Sequence, residues 1–80
     1  MGKSPLYIVV KNWKKITGET LFKVTHPVKI KGNTIIIGVK THSWLQELNM
    51  SKDLMLENIK KFTSDISDVQ FILDTKKRSS

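Results

Sequence analysis

Eighty residues without a cysteine can build one small core, but neither a disulfide framework nor a thiolate metal site. No apolar run approaches the roughly 20 residues that cross a bilayer, and the N-terminus lacks the hydrophobic block of a secretory signal, so the chain reads as soluble and cytoplasmic. The net charge of +7 is unevenly placed: residues 1–42 carry eight lysines against Glu19 alone, and residues 43–75 three lysines against six acids, before Lys76, Lys77 and Arg78. Such a chain presents a basic side to something anionic, nucleic acid before a membrane surface or an acidic protein.

Ser4 is an N-cap with Pro5 at the first helical position. Leu6, Val9, Val10, Trp13 and Ile16 then recur at helical spacing, which predicts one amphipathic helix with Lys11, Lys14 and Lys15 outside. Gly18 ends it, and Thr17 is placed to cap a shorter piece, Glu19 to Val24, whose Leu21 and Val24 reach the same core. Pro27 stops helical structure and pushes His26 towards an extended backbone.

Gly32-Asn33 is a hairpin turn that folds the segment Pro27 to Lys31 onto Thr34 to Lys40. Counting from the turn pairs Lys31 with Thr34, Ile30 with Ile35 and Val28 with Ile37. Ile35, Ile37 and Val39 then share the inner face of a central strand, and Lys29, Lys31, Ile36 and Lys40 the outer one.

Ser43 and Gln46 have the spacing of a capping box. The stripe beyond it is Trp44, Leu45, Leu48, Met55, Ile59 and Phe62. One helix to Phe62 puts Lys52 in the stripe and Met50 in water; a bend near Asn49, with Ser51 as a cap and Asp53 in the next first turn, fits better. Thr63 to Asp68 reads as a polar turn. Asp68 to Leu73 alternates as a third strand, which a right-handed crossover brings in parallel beside the hairpin. The order predicts a two-layer α+β domain over residues 1–75, with helices on one face of a three-stranded mixed sheet and a short basic tail at 76–80. Lys29, Lys31, Ile36, Lys40, Gln70 and Ile72 belong to the open face.

The chemistry expected of these residues is binding. The hairpin brings His26 near His42, but two imidazoles fall short of a zinc site, so no metal is expected. Neither Gly18 nor Gly32 lies in a phosphate-binding loop, and no catalytic constellation is present, so neither a cofactor, a small-molecule substrate nor an enzyme is expected. Trp13 and Trp44 both sit on apolar stripes as core. Lys11, Lys14 and Lys15, with Lys29, Lys31 and Lys40, are the candidate nucleic-acid contacts. Ammonium groups suit phosphate oxygens and read no sequence, which predicts salt-sensitive, sequence-tolerant binding. Met50, Leu54 and Leu56, which the main stripe does not use, are the candidate partner-binding residues.

Trp13-Lys-Lys-Ile-Thr-Gly18 resembles the W-x-x-[IV]-x-G opening of the DciA family of bacterial replicative helicase loaders. Thr25-His-Pro27, the strand after Gly32, and Ser43-Trp44-Leu-Gln-Glu47-Leu48 are similar to that family's T-x-P, G-x-L-x-V-x-V and W-x-x-E-L signatures, in the same order. The resemblance spans Leu6 to Leu73. It implies a KH-like domain of the type II-like αββααβ order that engages the replicative helicase DnaB, helps it onto single-stranded DNA at initiation, and itself binds single-stranded or double-stranded DNA, without hydrolysing ATP. A nucleic-acid-binding KH domain carries a GxxG loop between its paired helices. Here that position reads Asn49-Met50-Ser51-Lys52, so the lysines must supply the affinity. The rival reading is an RNA-binding KH-like module, for example a ribosome assembly factor.

Overall fold

Ser4 opens the first helix as expected: its Oγ accepts the Tyr7 amide at 3.1 Å and Pro5 takes the first helical position. In the computed structural model, which describes residues 4–75, the chain runs α1 (Pro5–Lys11), α2 (Trp13–Thr17), α3 (Glu19–Val24), β1 (Thr25–Lys31), β2 (Thr34–Val39), α4 (His42–Met50), α5 (Lys52–Lys60) and β3 (Asp68–Leu73). The tail expected at 76–80 lies outside the described residues.

The predicted single first helix is broken at Asn12, whose side-chain amide donates to the Ile8 carbonyl at 2.8 Å. A side chain that competes for a carbonyl in this way loosens the helix behind it. The break aims Trp13 and Ile16 into the core and leaves Val10, expected in the stripe, 52% exposed. The same device closes three more helices: Thr17, Thr25 and Ser51 each donate a hydroxyl to the carbonyl four residues earlier, on Trp13, Leu21 and Glu47. Thr17 and Ser51 therefore seal helix ends instead of capping the next starts, where neither accepts a capping bond. Gly18 links α2 to α3 with φ of 86°, a region that glycine enters without penalty.

The hairpin turns at Gly32-Asn33, and only Gly32 has a positive φ (64°), the pattern of a type II′ turn. Lys31 pairs with Thr34 and Ile30 with Ile35 as counted, but Pro27, not Val28, faces Ile37. The register shifts between Pro27 and Lys29, leaving Val28 as an exposed bulge. Pro27 has no amide to donate, and proline in a sheet is confined to such edges and bulges. β3 lies parallel to β2, so the strand order is β1-β2-β3.

The cap of α4 is Thr41, not Ser43: Thr41 Oγ1 accepts the Trp44 amide at 3.2 Å, and Ser43 is already helical. The bend between α4 and α5 falls at Ser51. The segment read as a polar turn carries Ile66, which is fully buried. With Val9, Trp13, Ile16, Ile35, Ile37, Val39, Leu48, Met55, Ile59, Val69 and Phe71 it forms the core between the helices and one sheet face. Counting the interrupted helical stretch α1–α3 as one, the order is αββααβ in two layers, a KH-like α+β domain. Among the described residues no helix is long and apolar enough to cross a membrane.

Candidate nucleic-acid interface

The register builds the bare face of the sheet. Lys29 pairs with Ile36 and Lys31 with Thr34, while Gln70 and Ile72 of β3 flank Ile36 and Gly38. Residues paired across strands share a face, so these side chains stand opposite Ile35, Ile37 and Val39. Lys40 continues the row beyond β2, where its amide donates to the Val24 carbonyl at 3.0 Å. Lys29, Lys31 and Lys40 are exposed, and among the described residues none of them has an ion-pair partner. Half-buried Ile36 and Ile72 lie among them, giving a face with ammonium groups around an apolar strip.

The second set of lysines stands elsewhere. Lys11, Lys14 and Lys15 are exposed on the outward side of α1 and α2, in the layer opposite the bare sheet face. Lys11 Nζ sits 5.8 Å from the Tyr7 ring centre and Lys14 Nζ 5.9 Å from that of Phe22, cation–π contacts that hold both ammonium groups at the surface. The single basic side expected from the charge distribution is thus divided between two layers.

His42 is exposed in the first turn of α4, whereas His26 Nε2 lies 2.9 Å from Asp74 Oδ2. Gly38 makes that contact possible, because a Cβ there would fall 2.7 Å from His26 Nε2 and 3.1 Å from Asp74 Cβ. Among the described residues no group of three metal ligands forms.

Met50 and Leu54 are 85% and 61% exposed, while Leu56 packs against the core. Leu54 lines a cleft of about 60 Å³ between α2–α3 and α4–α5, with Ile16, Leu21, Leu48 and Met55 among its walls. Glu47, Asp53 and Glu57 are exposed on the same two helices. Ser51 alone separates α4 from α5, which leaves no loop to clamp a nucleic-acid backbone.

Sequence reasoning missed Thr25 as a linchpin. It is buried, and its Oγ1 accepts Trp13 Nε1 at 3.2 Å while donating to Leu21 at 2.6 Å. A threonine beside a turn and a tryptophan with an N–H to satisfy were the available signals. Residues 6–71 match the family model described as Dna[CI] antecedent, DciA. No curated protein matches the chain.

Proposed function

The chain belongs to the DciA family, and on that premise we propose that it is a non-enzymatic, DNA-binding adaptor that recruits or loads the replicative helicase DnaB onto single-stranded DNA. The family is associated with DnaB loading in replication. In this reading residues 1–75 are a single domain, the tail at 76–80 adds basic charge, and the protein acts in the cytoplasm. DNA lies on Lys29, Lys31 and Lys40, with Lys11, Lys14 and Lys15 as a separate patch. The helicase is held on the apolar and acidic surface of α4–α5 around Met50 and Leu54, with Leu56 behind them.

The observation that carries the DNA-binding part is the bare sheet face, where three exposed lysines stand without an ion-pair partner among the described residues. Lysines fixed by strand register suit phosphate oxygens spaced along a backbone. Loading of DnaB onto closed-circular single-stranded DNA, with and without this protein, tests the whole. Acceleration that disappears at high salt is expected; no acceleration at low salt overturns the reading. Equal competition by ribosomal RNA, with no retention of DnaB, is the outcome that supports an RNA-binding module instead.

A further inference from the structure

The same sheet face holds a group that the lysine argument does not use. His26 stands on β1 directly opposite Gly38, and its ring reaches across that glycine to Asp74, just past the end of β3. The strand between them is otherwise β-branched, Thr34-Ile-Ile-Ile37 and Val39, so the missing side chain at Gly38 is what lets the two outer strands touch. The bridge fixes the imidazole on the bare face while its side chain stays 45% exposed. An imidazole bound to a carboxylate through Nε2 keeps Nδ1 free to meet another group.

Among the described residues the charged groups around it are few. Lys29 and Lys31 share its strand, Lys40 closes β2, and Asp74 follows β3. At the far end of the face Asp68 is held by Lys52 at 3.9 Å. With His26 neutral the row carries three ammonium groups and the Asp74 carboxylate; a proton on the ring offsets that carboxylate.

We infer that His26 is a phosphate-contacting residue of the bare sheet face, oriented by Asp74 across Gly38, and that binding of nucleic acid tightens as the pH falls and the ring takes up a proton. The inference rests on the DNA-binding reading of this face and adds a residue and a pH dependence to it. In atoms, the protonated ring donates Nε2–H to Asp74 and Nδ1–H to a phosphate oxygen. One extra phosphate contact on a single strand releases about 0.7 counterion, which at ~0.1 M salt corresponds to about fivefold in affinity.

The test uses the full chain and a fluorescent oligothymidylate, titrated at fixed ionic strength from about pH 8 to pH 6, the window in which imidazoles protonate. The wild type is expected to tighten about fivefold, and His26→Gln to lose that tightening while melting at the wild-type temperature. His42→Gln, which changes the other imidazole, is expected to keep it. Should His26→Gln melt early, the wild-type imidazole resonances decide: on adding oligothymidylate at pH 6, that of His26 shifts and that of His42 does not. A flat wild-type profile, when removing the sheet lysines still abolishes binding, overturns the inference and spares the DNA-binding reading. Tightening that His42→Gln removes, or a shift of the His42 resonance alone, also overturns it. Failure to bind at every pH ends both.

Discussion

β2 shows its two faces to different surroundings. Ile35, Ile37 and Val39 are fully buried under the helices, while Ile36 is half-buried on the bare side and lies between Lys29 and Gln70. The covered face is crowded with atoms and intolerant of change. The bare face carries exposed lysines that the core does not use, and in the proposed reading they serve another molecule. Stability and binding are therefore separable by face, and substitutions on the two sides should affect different measurements.

The largest effect is expected on the covered face. Trp13 is 3% exposed, and its indole N–H is shared between Thr25 Oγ1 and the Thr25 carbonyl at 3.2 and 3.4 Å. Trp13→Ala is expected to cost on the order of 3 to 5 kcal/mol in denaturant unfolding, because it opens a cavity and removes the N–H that the buried Thr25 accepts. A cost below about 1 kcal/mol would show that the covered face does not govern stability.

That division could be read in advance where neighbours in sequence decide it. The hairpin was legible because Gly32-Asn33 and the alternation of Thr34 to Val39 agree, and the Ser51 break because a continuous stripe would have placed Lys52 in the core. Contacts set by distant residues were not legible. The bulge at Val28 follows from Pro27 meeting a partner strand, and Ile66 is buried because the start of β3 is pulled onto the hairpin turn, where Asn33 accepts the amides of Ser67 and Asp68. His26 and Asp74 are 48 residues apart, and only Gly38, standing between them, hinted at a close approach. Thr41 displaced Ser43 as a cap because β2 ends at Val39, two residues before the helix needs its first acceptor. Of the candidate site, the exposure of the lysines was legible and their division between two layers was not, since helical and strand periodicities do not say which way each layer faces.

On the bare face the expected change is in binding alone. Replacing Lys29, Lys31 and Lys40 together by alanine should leave unfolding free energy within about 0.5 kcal/mol of wild type, as is usual for surface sites. It should lower the slope of log affinity against log salt for single-stranded DNA by about 2, at about 0.7 for each lost phosphate contact. The triple change of Lys11, Lys14 and Lys15 should flatten the slope less, because Lys11 and Lys14 are already engaged by aromatic rings. Filter binding or anisotropy at several salt concentrations measures both. If the helical triple flattens the slope as much as the sheet triple, DNA must reach both layers and the division by face fails for binding; if it changes nothing, that patch leaves the site.

The smallest effect on the fold, and the most informative about a partner, is expected at Leu54. It lines the cleft between α2–α3 and α4–α5 yet is 61% exposed, so little apolar area is lost when it changes. Leu54→Ser should therefore shift unfolding by only a few tenths of a kcal/mol, as surface replacements generally do. If the outer side of α4–α5 holds the helicase, the same change should weaken retention of DnaB while the salt dependence of DNA binding stays that of the wild type. The two readouts together separate this surface from the sheet: lost DnaB retention with intact DNA binding assigns a third, protein-facing region to the helical layer. A variant that keeps DnaB, with Met50→Ser keeping it too, would remove the exposed apolar side chains of α4–α5 from the partner surface, because side chains this open have no core role through which their loss could be compensated.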